Sequence, residues 1–99
     1  MLTIRDVQRA VAYIYNVSLH DLVCERRCRD LAEPRQIAMW ICGAVLTDKT
    51  NSQIARSFRR DRTTITHGMR RGREITARNL DHIEKIRLII DELRRKASS

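Results

Sequence analysis

Proline, glycine and aromatic side chains are scarce in this chain, and each shortage removes a class of fold or function. One proline and three glycines among 99 residues leave few turns to separate strands, and no stretch alternates apolar and polar residues as a half-buried strand does. Aromatics at 4% give unpaired bases almost nothing to stack on, which argues against single-stranded binding through aromatic platforms. No window approaches the roughly 20 apolar residues of a membrane span, and the opening MLTIRDVQRA holds no apolar run of signal-peptide length. A cytoplasmic chain is expected. No basic amphipathic stretch carries the aromatic anchors that a membrane-surface role requires. The three cysteines, Cys24, Cys28 and Cys42, are odd in number, which argues against a disulfide framework. His20, Cys24 and Cys28 would align on a continuous helix. No second Cys or His pair completes four ligands, so neither metal nor other cofactor is expected.

What the chain has in excess is positive charge. The formal net charge is +8. Residues Arg26 to Arg73 hold twelve Lys/Arg against four Asp/Glu, whereas the ends together hold eight of each. A basic belt with balanced flanks points to a polyanionic partner. The chain length suits one domain, which buries on the order of 65% of its unfolded surface. With 42% hydrophobic residues it can build a core without staples.

The belt is organised around NSQIARSFRRDRTTITHGMRRGR, residues 51–73. Ile54, Ala55 and Phe58 give a short helix an apolar face, capped by Asn51 or Ser52. Arg59 and Arg60 mark a turn. Asp61 is a good N-cap for a second helix, because its carboxylate can accept the free N–H groups of Thr63 or Thr64. Ile65 and Met69 supply that helix's inward face, leaving Arg62, Thr63, Thr66, Arg70, Arg71 and Arg73 outward. A short helix, a tight turn and a polar helix start flanked by arginines are the pattern of a helix-turn-helix that reads double-stranded DNA.

The other segments also read as helices. Thr3 with Asp6 forms a capping pair ahead of Ile4, Val7, Val11 and Ile14, and this helix ends near Asn16. Ser18 with Asp21 repeats the signal for a short helix burying Leu19, Leu22 and Val23. Cys24 to Ala32 reads as a basic loop carrying Arg26, Arg27 and Arg29. Pro34 fits the first position of a third helix, which buries Ile37, Ile41, Ala44 and Val45. Asn79 can cap a last helix whose Ile83, Ile86, Ile90 and Leu93 form a stripe. That stripe either packs back on the domain or makes the seam of a homodimer. The expected fold is all-α, a six-helix single domain with a central helix-turn-helix.

The segment VAYIYNVSLHDLVCERRCRDLAEPRQIAMWI, followed by LT, IARSF and DRTTITHGMRR, resembles the C-terminal DNA-binding domain of DnaA, the bacterial replication initiator. The likeness covers roughly residues 4–75, leaving an additional helix at about 79–97. It implies a Trp-repressor-like arrangement. It also implies that Arg27, with Arg26 and Arg29 in the same loop, enters a minor groove, where guanidinium is drawn to a narrow A·T-rich wall. Arg35 and Gln36 fall at the helix start that grips phosphate in that family. Asp61, Arg62 and Thr63 lie at the major-groove reading end, with Arg60 in the turn before them a further DNA-contact candidate, Thr64 and His67 nearer the backbone, and Arg70 and Arg71 on phosphate. Ordinary readings stand beside these: a helix cap for Asp61, a salt bridge for Arg35, a packing residue for His67.

Several positions depart from the family pattern. Arg62 replaces the usual histidine, so a donor suited to guanine stands there. The glycine-rich turn is shortened by one residue to Arg59-Arg60, one residue is gained between Ile37 and Thr47, and Glu33 replaces a commonly basic residue. No Walker-type glycine loop occurs in the chain, so nucleotide-driven assembly is not implied, and no nucleophile–base pair suggests an enzyme. The sequence therefore reads as a DnaA-box-like site binder that regulates replication or transcription. The competing reading is a protein-interaction module of the initiation machinery, with a partner on the charged last helix.

Overall fold

A computed structural model describes residues 2–24 and 29–98, with the side chains of residues 29 and 30 outside the description. Arg26, Arg27 and the side chain of Arg29 therefore lie outside the described residues. Those residues form six helices and no strand: α1 (Ile4–Ile14), α2 (Leu19–Val23), α3 (Arg29–Val45), α4 (Asn51–Ser57), α5 (Arg62–Arg78) and α6 (Leu80–Ser98).

Local chemistry sets most of the boundaries. Thr3 Oγ1 accepts from Asp6 N at 3.1 Å while Thr3 N donates to Asp6 Oδ2 at 3.0 Å, a complete capping box at the start of α1. Asn16, with φ 56°, ends that helix: its N–H donates to Tyr13 O and Val17 N to Ala12 O. Ser18 Oγ accepts from Asp21 N and opens α2. The cap of α4 is Thr50 rather than Asn51 or Ser52, because Thr50 and Gln53 stand three apart and satisfy each other's N–H groups at 3.1 and 2.8 Å.

The third helix differs from expectation at its start. It begins at Arg29, so Pro34 lies inside it rather than at its first position, and residues 29–32, expected in the basic loop, are helical. Leu31, Pro34 and Arg35 are all buried, and this packing holds the helix across a residue that removes one internal hydrogen bond. Ile37, Ala38, Ile41 and Cys42 form its core face. Ala44, expected inside, is exposed, because the buried row turns toward half-buried Val45. Burial pushes the Cys42 thiol up to about 12, so it remains a protonated core side chain.

Helices α3 and α5 make the dominant contact. Gly68 and Gly72 line the crossing on α5. A Cβ at Gly72 would overlap the Gln36 carbonyl and lie 3.0 Å from Trp40 Cβ, so the two backbones approach closely only because that side chain is missing. Ile54, Ala55, Phe58 and Ile65 extend this core into α4 and the start of α5.

Helix α6 packs back on the domain, antiparallel to α1. Lys96 Nζ meets Asp6 Oδ1 at 3.5 Å at one end, and at the other the Tyr15 hydroxyl and His82 Nδ1 share a 2.8 Å hydrogen bond. Asn79 Oδ1 accepts from Asp81 N and opens the helix. The inward row is Ile86, Ile89 and Leu93 rather than the Ile83–Ile90 register: Ile89 is fully buried while Ile83 is 38% exposed. Among the described residues, no helix is long and apolar enough to cross a membrane.

Candidate nucleic-acid interface

Helix α5 begins where Asp61 accepts from Thr64 N, 2.7 Å from Oδ1. The backbone and side-chain hydrogen bonds of Thr64 hold the Asp61 carboxyl below its ordinary value of 3.8, so it is ionised at neutral pH. This carboxylate at the helix start leaves the first turn of α5 outward. Arg62, Thr63 and Thr64 are exposed, and Ile65 alone of that turn is buried.

One shallow open depression on α5 is lined by Arg62, Thr63, Thr66, His67 and Arg70. These residues follow the 3–4 spacing of one helix face, opposite the inward row of Ile65, Gly68, Gly72, Ile75 and Thr76. His67 is exposed and no part of the core. Among the described residues Arg62 and Arg70 pair with no carboxylate, whereas Arg71 Nη1 reaches Glu74 Oε2 at 3.5 Å. Bases and phosphates are recognised by groups of this kind: two free guanidinium forks, two hydroxyls and an imidazole on one accessible helix face.

Preceding α5, the turn is closed by arginines. Arg59 adopts φ 56°, its N–H donates to Arg56 O, and Arg60 N donates to Ala55 O. This pair of bonds closes α4 in the manner usually left to glycine, and it keeps α4 and α5 in helix-turn-helix geometry.

Two expected contact residues are turned inward. Arg35, assigned to phosphate or a surface salt bridge, is only 6% exposed. Its Nε donates to Leu22 O at 3.1 Å, and Nη2 donates to Asp21 O at 2.6 Å and to Cys24 Sγ at 3.4 Å. Arg60 is half-buried, with Nη2 donating to Cys24 O at 3.0 Å and Nη1 to the carbonyls of Phe58 and Arg59. Gln36 is half-buried, with its carbonyl against Gly72. Glu33, read as an offset to phosphate affinity, lies beside α6, with Oε2 3.6 Å from His82 Nε2.

The depression also gathers Thr66, which the sequence placed outward without a role. Its Oγ1 donates to Arg62 O at 3.0 Å. Its position one helical turn past Arg62 was the available signal. A neighbouring groove brings Asn51 and Arg73 beside Arg70, over a floor containing Trp40, Gly43, Ala44 and Met69. Asn51 is 22 residues from Arg73, and only the packing of α4 on α5 reveals that proximity. Among the described residues no group of three His, Cys, Asp or Glu side chains is placed to hold a metal ion.

An all-helical domain with an exposed polar helix start after a tight turn defines a helix-turn-helix protein of the DNA-binding class. The sequence profile of the bacterial DnaA protein helix-turn-helix matches residues 4–71, and the chain belongs to that family. It is 36% identical over 91 residues to the chromosomal replication initiator protein DnaA of Rickettsia massiliae, an alignment covering 91% of this chain and 19% of that protein. The same figures hold for the DnaA of Rickettsia felis, and the Rickettsia canadensis protein is 35% identical. The chain thus spans about a fifth of the length of these relatives.

Proposed function

We propose that this chain binds double-stranded DNA sequence-specifically, with the first turns of α5 in the major groove and the basic segment 26–29 in the adjacent minor groove. The observation that carries this reading is the single accessible face of Arg62, Thr63, Thr66, His67 and Arg70, presented by a capped helix start in a family of replication initiators. The Thr63 methyl is suited to a thymine methyl, Arg62 to guanine O6 and N7, and Arg70 to phosphate. The chain then acts at DnaA-box-like sites on the nucleoid as a regulator of replication or transcription, with no catalytic step of its own. Arg62 in place of histidine shifts the preferred base at one position of that site.

A labelled duplex carrying a DnaA box, compared with a scrambled duplex, tests this reading. Thr63→Ala should narrow the difference between them by about 1–3 kcal/mol while leaving scrambled binding unchanged. Equal binding of both duplexes by the wild type would reduce the function to non-specific charge attraction. If neither binds, a protein-interaction role is favoured instead. An unchanged ranking of sites by the Thr63 variant would remove the proposed docking.

A further inference from the structure

The groove between α3, α4 and α5 has an apolar floor and a basic rim. Half-buried Trp40 and Met69 form the floor with Gly43 and Ala44. Arg70 and Arg73 are exposed on the rim and pair with no carboxylate among the described residues. Such a surface is complementary to an apolar side chain flanked by carboxylates. Helix α6 presents that chemistry on its outer side. Leu80, Glu84, Leu88 and Asp91 follow one another at helical spacing on one face, opposite the inward row of Ile86, Ile89 and Leu93. Leu80 is 78% exposed and Leu88 52%. Glu84 and Asp91 are exposed and meet no basic group among the described residues, whereas Arg95, next along the row, is engaged by Glu92 at 3.2 Å.

We propose that the groove takes the outer face of α6 from a second copy of this chain. Leu88 sits on the Trp40–Met69 floor, and the carboxylates of Glu84 and Asp91 meet the Arg70 and Arg73 guanidiniums. The two surfaces that join are different ones, so the contact is head-to-tail and grows with concentration, unlike a symmetric seam along α6. Its consequence for DNA rests on the reading of α5 as the base-reading helix. Thr66 and Arg70 line both the groove and the exposed face of α5, so a seated copy and a duplex exclude each other.

Sedimentation of the full chain without DNA tests the contact, in about 150 mM salt so that repulsion between like-charged copies is screened beyond about 8 Å. The average mass should rise above one chain between about 10 and 500 µM, the range of a weak contact. Trp40 is the only tryptophan of the chain, and its emission should shift to the blue over the same range as the groove is covered. Leu88→Ser, at an exposed position that leaves the fold intact, should abolish both changes. Arg73→Glu and the double variant Glu84→Lys/Asp91→Lys should each weaken self-association by about tenfold or more, because like charges then face each other. Mixing those two proteins restores opposite charges across the contact and should recover the wild-type affinity to within about threefold. A mass of one chain throughout, an unmoved Trp40 emission, or charge swaps that do not recover on mixing would overturn the proposal. Excess box duplex should dissolve the assembly to one chain per duplex, and larger complexes on a single box would overturn the exclusion. If the wild type does not distinguish box from scrambled duplex, the proposed function fails, while the mass and emission without DNA still decide for or against the contact.

Discussion

At the level of single residues, conformation and charge state matter more than residue type. Arg59 holds φ 56°, a left-handed conformation that costs an L-residue with a Cβ about 1–2 kcal/mol. Glycine would relieve that cost but adds about 0.4–1 kcal/mol of unfolded-state entropy. The balance favours the variant: Arg59→Gly should raise the melting temperature by about 2–4 °C, in keeping with the size of this domain. A lowered melting temperature would mean that the Arg59 side chain contributes more than its backbone strain costs. Asp61 gives a second test. Its carboxyl, like that of Asp6 bonded to the Thr3 N–H, sits below the ordinary 3.8 in the folded state. A depressed folded value means that stability is fully present above about pH 4 and is lost as pH falls through the lower folded value. Asn caps nearly as well without titrating, so Asp61→Asn should melt with a shallower acid dependence between about pH 4 and 2 than the wild type. Parallel curves for the two proteins would show that the cap does not report on the acid transition.

Between elements, the contact of α3 with α5 holds the exposed polar face of α5 in place. Gly72→Ala would place a methyl group against the Gln36 carbonyl, which is backbone and cannot swing aside. The helices would have to separate, at a cost of about 1–3 kcal/mol despite the better helix propensity of alanine. At Gly43 the added carbon meets only the tip of Met69, 3.0 Å from Cε, which can change rotamer. Gly43→Ala should therefore change stability by less than about 1 kcal/mol, and denaturant melts of the two variants side by side check the contrast. Similar losses in both would mean that the α3–α5 crossing gives way as readily at Gly72 as Met69 does at Gly43. The contrast also shows where the sequence could be read and where it could not. Caps at Thr3, Ser18 and Asp61 and the 3–4 rows of α1 and α5 announce themselves through residue types. Gly68 and Gly72 do not, because a missing side chain leaves no apolar signal for a core position. Helix α6 has isoleucines at 83, 86, 89 and 90, which offer two overlapping faces, and only the position of α1 selects the one containing Ile89. The exposed face of α5 was legible from outward polar residues. The inward turn of Arg35 and Arg60 was not, because their partners are main-chain carbonyls, which every residue carries.

For the molecule as a whole, charge and shape must agree. The excess of +8 lies between Arg26 and Arg73, and α6 with its balanced charges covers α1 rather than the outer face of α5. Binding should therefore be strongly salt-dependent, with log affinity falling by about 0.9 per decade of salt for each phosphate neutralised. Arg70 lines the exposed face of α5 without a carboxylate partner among the described residues, so under the proposed docking Arg70→Gln should reduce that slope by about 0.9 on box and scrambled duplex alike. Thr63→Ala should leave the slope untouched, because a methyl contact releases no counterion. Together the two variants separate attraction from reading on one helix face. A slope that survives the loss of Arg70 would place the phosphate contacts elsewhere on the belt, and α5 would then enter the groove in a different orientation from the one its exposed residues define.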